Sequence, residues 1–402
     1  MNILYIHQYF YTPQEPGATR SYWISRELVR RGHNVRMVCS TNENHPEAGE
    51  MDIDGIHVIY VKNDYSNYMP AYRKVLSFVN FIRLAIKEGA KQMGVDLMYA
   101  TSTPLTVGYI AMRLKAKRGW KYVFEVRDLW PEFPIQIGAI KNKLAIRYLR
   151  GLERRIYERS EHVVALSPGM KDGVLKAGTP EEKVSMIPNM AKPDKFYPRE
   201  PNMEVANRFG IDISKFNVIH FGSMGRANGL NYITDAAKVL QKGGHDEVNF
   251  VFMGDGATCP ELKKQAEEQG LKNVQFLGNH PMETVSDVVN LCDASITTFM
   301  NLPILQTNSP NKLFDSLSAG KPIIVNSAGW TKDLVEKDDC GFFVDPERPE
   351  ELAEKLLQYK DDMETLNRWG ENARKLSLEV FDKDILSAKV ADVLEMVYNT
   401  VK

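Results

Sequence analysis

The sequence predicts an α/β chain of two doubly wound, Rossmann-like domains facing each other across a cleft. Three observations predict it. Short apolar runs alternate with amphipathic helical stretches, the signature of parallel sheets covered by helices. The same alternation begins again after residue 203. Between the halves lies NMAKPDKFYPREPN, residues 189–202, rich in proline and charge, as a linker would be. The expected division is a first domain 1–190, a linker 191–202, a second domain 203–383 and a closing amphipathic helix 384–402.

The first half opens with a strand at Ile3–His7, followed by the long loop QYFYTPQEPGATR. A helix follows from Thr19 to Arg31, with Trp23, Leu28 and Val29 near helical spacing and Gly32 ending it. Asn34–Cys39 is the next strand. Further strands are expected at Ile56–Val61, Leu97–Ala100, Tyr122–Val126 and His162–Ala165, with helices over 71–91, 104–118 and 142–159. In the second half the strand Val218–Phe221 meets GSMGRANG, and a helix runs on through Leu240. Strands over 249–254, 274–278, 294–299 and 321–326 alternate with helices over 260–269 and 282–290. Ligands of such sheets sit beyond the strand carboxyl ends, which makes the cleft the expected site.

Composition narrows the class. The chain has 402 residues, 43% of them hydrophobic and 26% charged, which excludes disordered and collagen-like chains. No run approaches the roughly 18 apolar residues of a membrane span. The start lacks a basic region ahead of its apolar stretch, so no secretory signal is expected. Cys39, Cys259, Cys292 and Cys340 lie far apart and read as reduced thiols of a cytoplasmic protein. The net charge of −1 conceals +9 over residues 1–200 and −10 over 201–402, with +8 concentrated in 101–160. Two units with different partners are implied.

The most informative segment is TNSPNKLFDSLSAGKPIIVN, 307–326. Asn308 or Ser309 can cap a helix, with Pro310 at its first position. Its free amides would then form an anion site. Lys312 stands in that first turn, where a cation opposes the helix dipole, so a bound phosphate is indicated. Asp315, three residues on, shares its face and could accept two hydrogen bonds from a ribose diol. An ordinary capped helix with a Lys–Asp pair is the alternative. In FGSMGRANGL the glycines would let amides approach phosphate, with Arg226 as a bidentate donor; a plain turn is the alternative. The spacing is not the GxGxxG of a dinucleotide site. Gly17 and Arg20 lie in the long loop after the first strand. In FEVRDLWPEFP, residues Arg127, Asp128 and Glu132 crowd a strand end beside Trp130, suiting either a polar-substrate pocket or a surface ion pair.

Other signals point to structure. Asp52-Ile53-Asp54 spells a DxD motif, but Gly55 makes it a β-turn, and no metal site is expected. His7 and His33 are read as hydrogen-bonded structural groups. The stretch Tyr65–Lys91 reads as a core-facing helix or a membrane-surface helix. Joined to the local +8, it favours attachment of the first domain to an anionic membrane. No nucleic acid partner is implied.

With these residues in view, the chain resembles a family-four retaining glycosyltransferase of the GT-B fold. The resemblance rests on PGATRSYWISRELVRRGHNVRMV, RDLWPE, FMGDG, VQFLGNHP and above all SPNKLFDSLSAGKPII. Its wording is nearest to bacterial O-antigen and capsule transferases of the N-acetylfucosamine transferase type. It implies retention, a UDP-sugar donor on the second domain, and no metal or other cofactor. It also implies an acceptor on the first domain and a last helix that crosses back to that domain.

The resemblance and the readings of the residues together give a donor site of Gly17, Gly222, Ser223, Arg226, Gly254, Gly278, Asn308, Ser309, Pro310, Asn311, Lys312 and Asp315. The acceptor side comprises Arg20, Arg127 and Asp128, and the catalytic set Arg226, Lys312, Asp128 and Glu132. The sequence departs from the family where its first glutamate falls on Thr307, and where its diphosphate-binding Arg and Lys fall on Ser223 and Asn228. The family histidine falls on or beside Arg127. Arg226 and Lys312 are the expected substitutes for the missing cations. The expected acceptor is a polyprenyl-diphosphate-linked saccharide at the inner face of the cytoplasmic membrane, in surface polysaccharide synthesis. A UDP-sugar 2-epimerase and a non-catalytic nucleotide-sugar-binding scaffold are the alternatives.

Overall fold

A computed structural model describes residues 1–15, 17–66 and 69–400. Pro16 of the long loop, Asn67 and Tyr68 of the Tyr65–Lys91 stretch, and residues 401–402 of the closing helix lie outside the described residues. The chain divides into two compact units, Met1–Pro188 with Lys383–Lys402, and Asn189–Asp382.

The first unit begins β1 (Asn2–Ile6), α1 (Arg20–Arg30), β2 (Asn34–Ser40), β3 (Gly49–Ile53) and β4 (Ile56–Val61). It continues α2 (Ala71–Lys91), β5 (Leu97–Thr101), α3 (Thr106–Arg118), β6 (Lys121–Val126) and α4 (Glu132–Gln136). It ends α5 (Lys143–Arg159), β7 (His162–Ala165), α6 (Pro168–Lys176) and β8 (Val184–Met186). The sheet order is β3-β4-β2-β1-β5-β6-β7-β8, parallel except for β3, which pairs antiparallel with β4. The DxD segment is the turn of that hairpin. Asp54 and Gly55 both have positive φ, and the Gly55 amide donates to the Asp52 carboxylate at 2.9 Å.

The second unit begins α7 (Met203–Phe209), β9 (Phe216–Phe221), α8 (Asn231–Lys242), β10 (Val248–Met253) and α9 (Cys259–Glu268). Then come β11 (Val274–Gly278), α10 (Met282–Leu291), β12 (Ala294–Thr297), α11 (Asn311–Ser318) and β13 (Ile323–Val325). It ends α12 (Trp330–Lys337), β14 (Gly341–Phe343), α13 (Pro349–Tyr359) and α14 (Met363–Glu379). Its sheet, β11-β10-β9-β12-β13-β14, is wholly parallel. Buried Val218, Phe250, Phe252, Ile296 and Ile324 form its core beneath the helices.

Each sheet reverses its strand order beside its first strand, between β1 and β5 in one unit and between β9 and β12 in the other. The carboxyl ends flanking a reversal form the crevice where doubly wound sheets hold ligands. The last helix, α15 (Lys383–Thr400), packs on α1. Arg31 pairs there with Asp392 at 2.7 Å, and His33 with Glu395 at 2.8 Å. Residues 191–202, read from composition as a linker, belong to the second unit. The Lys192 amide donates to Ser318 at 2.9 Å, and Phe196 is buried.

The first core contains a charged network. Arg20 is 2% exposed, and its Nε donates to Glu125 at 2.9 Å. The rest of the guanidinium donates to the carbonyls of Ile187 and Pro188. Glu125 also accepts from Tyr99 at 2.7 Å and Thr101 at 3.2 Å. Arg20 was expected to touch an acceptor; its donors are instead consumed inside the fold, because a guanidinium this deep must be fully paired. Arg20→Met should cost about 3–5 kcal/mol by stranding the Glu125 charge. The Arg20→Met/Glu125→Gln pair should unfold at a higher temperature than Arg20→Met alone, as measured by calorimetry.

Candidate functional site

In the second unit the predicted donor residues gather at the carboxyl edge of the sheet. The β9 and β10 loops touch backbone to backbone. The Gly222 amide donates to Met253 O at 2.8 Å, and the Gly254 amide to Gly278 O at 2.7 Å. Gly254 has φ +141, and a Cβ there would stand 2.0 Å from Gly222 O. Only glycine allows this approach, so three of the predicted glycines are fixed to one another by packing. Gly222 and Ser223 remain exposed in the loop. Arg226 is also exposed, starting a single 3-10 turn, Arg226–Asn228. Asn228 turns its amide back to Ser223 O at 2.9 Å.

α11 follows β12 and therefore starts at the same edge. Its start differs from expectation. Pro310 is the cap residue, not the first helical one, and no side chain caps the helix. Ser309 cannot cap because its hydroxyl accepts from the Asn189 amide at 3.1 Å, and its carbonyl from the Asn189 side chain. Asn308 O accepts from Trp330 Nε1. Asn311 opens the helix and is half-buried.

Lys312 carries the main charge of the site. Its Nζ lies 3.1 Å from His220 Nε2, and its Cε 3.8 Å from where a Gly222 Cβ would be. The lysine thus reaches from α11 across to the glycine loop. Burial lowers its pKa to about 7. Burial first, and then the Lys312 charge, hold His220 well below its ordinary value, so the ring is neutral and its Nε2 can accept from an ammonium. His220 was not anticipated: no sequence spacing links a mid-strand histidine to a helix 92 residues away. Lys192 was missed for the same reason. Its Nζ pairs with Asp315 at 2.7 Å and opposes the upward push of burial on that carboxyl.

In the first unit, the carboxyl ends of β1 and β6 hold a second cluster. Arg127 donates from Nη1 to His7 Nε2 at 3.2 Å, and its amide to Ser102 Oγ at 2.9 Å. Because a guanidinium only donates, His7 carries its proton on Nδ1 and donates to Ser21 Oγ, 2.9 Å away. Burial raises Asp128 to about 6, with Arg127 acting the other way. Glu132 is not brought into this cluster by any hydrogen bond. Its carboxylate pairs with exposed Arg150 at 2.7 Å, which is the ion pair weighed as its alternative. Gly17 packs on the Tyr11 ring, where a Cβ would come within 2.5 Å.

These two sheets and their carboxyl-edge clusters define a class, the two-domain GT-B fold. Residues 17–190 match the glycosyl transferase 4-like domain, and residues 204–376 match glycosyl transferases group 1. The chain thus carries a stretch similar to the glycosyl transferase 4-like domain followed by one similar to glycosyl transferases group 1. It is 24% identical over 265 residues to a probable glycosyltransferase, WbjE, of Pseudomonas aeruginosa, spanning 64% of each chain. To the alpha-D-kanosaminyltransferase of Streptomyces kanamyceticus it is 26% identical, spanning 56% of this chain and 57% of that one. The matched region is thus less than two thirds of either relative. Among solved structures, sucrose-phosphate synthase from Thermosynechococcus elongatus superposes over all of both chains with a TM-score of 0.78 at 14% identity. Anabaena HepE in complex with UDP and glucose superposes with a TM-score of 0.73 at 18% identity, over 98% of this chain and 99% of that one.

The Asp128 shift carries a pH signature. A carboxyl raised from 3.8 to about 6 favours the neutral form in the native state. Its ionised form therefore weakens the fold increasingly as pH rises from about 4 through 6. Relative to the parent, Asp128→Asn should gain roughly 2 kcal/mol in stability between pH 4 and pH 7. Unfolding measured across that range checks this; a pH-independent difference would remove the shift.

Proposed function

We propose that the protein is a retaining glycosyltransferase that moves a sugar from a UDP-sugar to a polyprenyl-diphosphate-linked saccharide. The transferred group is an N-acetylated amino sugar such as N-acetylfucosamine, and the product serves surface polysaccharide synthesis, as O-antigen or capsule. The acceptor is met at the inner face of the cytoplasmic membrane.

One observation carries this reading: Lys312 extends from the start of α11 over the Gly222 loop. A departing UDP needs cations where charge develops on its diphosphate. With Ser223 and Asn228 uncharged, Lys312 supplies one from the neighbouring helix and Arg226 the other from the loop. These two cations do the work a metal would otherwise do, so the reaction is metal-independent. Retention without an enzymic nucleophile means that the acceptor hydroxyl attacks from the face the leaving group vacates. The protein's part is to hold that hydroxyl and to stabilise UDP. Asp128, with its raised pKa, orients the acceptor, and a diphosphate oxygen takes the proton. Asp315, steadied by Lys192, receives the ribose diol. HepE, whose structures include complexes with UDP and with UDP-glucose, supports the choice of donor.

The decisive assay is UDP release from a panel of UDP-sugars with and without a lipid-linked saccharide. Release that requires the acceptor is expected. Epimerised sugar without an acceptor would instead identify a 2-epimerase, and UDP-sugar binding without turnover a scaffold. Lys312→Ala should lower turnover by about 100-fold, the scale for one lost charge-stabilising donor; full activity would remove Lys312 from the site. A diphosphate beside Lys312 also raises its pKa from about 7. UDP binding at pH 8 should therefore take up about 0.9 of a proton, read by calorimetry in buffers of different ionisation enthalpy, and Lys312→Met should abolish the uptake.

A further inference from the structure

We propose that the first unit docks on an anionic phospholipid bilayer through the N-terminal turns of α2 and α5. The proposal rests on the transferase reading and deepens it by giving the acceptor's lipid carrier a surface on this chain.

Topology puts the two helix starts together. α2 leaves β4 and leads to β5, and α5 leads from the β6 side to β7, all within the parallel part of the sheet. Both helices therefore begin at the carboxyl edge. α3 packs against both, so they lie on one face of the sheet.

The outer side of α2 is apolar where an ordinary surface helix is polar. Tyr72 is 62% exposed, Val75 58%, Leu76 62% and Val79 49%. Their spacing, i, i+3, i+4 and i+7, makes one continuous stripe. The core side of the same helix is supplied by other residues, Ser77, Phe81 and Ala85, all buried, so the stripe is additional to what the fold needs. One to two turns later the same side carries exposed Arg83 and Lys87. α5 repeats the arrangement. Leu144 is 79% exposed and Tyr148 60%, among exposed Lys141, Lys143 and Arg147.

Apolar groups at a helix start, ringed by cations, match the two layers of a bilayer surface. The apolar side chains enter the acyl boundary while Arg and Lys meet headgroup phosphates. The exposed Lys141, Lys143 and Arg147 beside Leu144 and Tyr148 select an anionic surface over a neutral apolar partner. His7, Arg127 and Asp128 stand at the carboxyl ends of β1 and β6, on the same edge of the sheet. A saccharide tethered to a lipid in that bilayer is thereby presented on the side where these groups lie.

Flotation of the full chain with vesicles tests the surface. Binding to phosphatidylglycerol-containing vesicles is expected, weaker on pure phosphatidylcholine and weaker as salt rises. Leu76→Glu/Val79→Glu should lower the bound fraction by about tenfold or more, and Lys143→Glu/Arg147→Glu should weaken binding to anionic vesicles alone. UDP-induced thermal stabilisation should be unchanged in both, showing that each variant is folded. No flotation of the parent at low salt, or undiminished flotation of the Leu76/Val79 variant, overturns the surface. So does light scattering in which that variant turns a dimeric parent into a monomer, since a second copy would then cover the stripe. If the surface fails while acceptor-dependent UDP release stands, the transferase reading survives. Flotation without that release sinks the transferase reading and leaves the surface.

Discussion

A lysine ammonium placed in the first turn of a helix and drawn out of water meets two unfavourable fields at once. The helix dipole presents its positive end there, and burial removes hydration from the charge. Lys312 is in this position, and the lowering of its pKa to about 7 expresses the second effect. Its contact with His220 does not relieve the situation by charge, because the ring is itself held neutral. The rest of the second unit's carboxyl edge is organised around this group. The β9 and β10 loops are locked to each other through Gly222 and Gly254, and the Lys312 Cε lies 3.8 Å from where a Gly222 Cβ would stand.

The two buried charges flanking α11 contrast with each other. Asp315 has a cation, Lys192, at 2.7 Å, so its charge is balanced within the protein. Among the described residues, Lys312 has only a neutral acceptor. A buried ion that is balanced draws no charge from outside, which leaves Asp315 to accept from neutral hydroxyls; one that is not balanced creates affinity for an opposite charge. The same distinction separates the arginines of the first unit. Arg20 is enclosed by Glu125 and two carbonyls, whereas Arg127 meets a neutral histidine and lies beside a carboxyl whose pKa is raised. Burial state and partner, not residue type, sort these cations into structural and functional ones.

That sorting explains what was legible in the sequence. The strands at β1, β2, β4 to β7 and β9 to β13 announce themselves as apolar runs, because a parallel strand is covered on both faces. β3 was missed because its side chains are almost all exposed. β8 and β14 were missed because three-residue strands such as VSM and GFF carry no period. In the site, the glycines and Lys312 were readable because each breaks a local rule, glycine in a strand–helix turn and a cation at a helix start. Arg20 and Ser309 were misread for the opposite reason. Their partners, Glu125 and Asn189, are remote in sequence, and nothing local distinguishes an arginine facing a ligand from one facing a buried glutamate. The start of α11 shows the same limit: Ser309 has the chemistry of a cap, but a tertiary contact uses its hydroxyl first.

The uncapped start of α11 then acquires a physical reason. A serine or asparagine cap would satisfy amides of the first turn and lower their demand for an external acceptor. Here Ser309 is diverted to Asn189, Asn308 lends its carbonyl to Trp330, and Pro310 has no side-chain acceptor to offer. The dipole end therefore keeps its positive character, and Lys312 adds to it instead of cancelling it. For the apo fold both features are unfavourable. A single dianionic group at the carboxyl edge reverses both, accepting from the helix amides and restoring the full charge of the lysine. A neutral ligand could reverse neither, and a monoanion could meet only part of the demand. The arrangement thus selects for charge density, which is the property that distinguishes a diphosphate from the sugar and base attached to it.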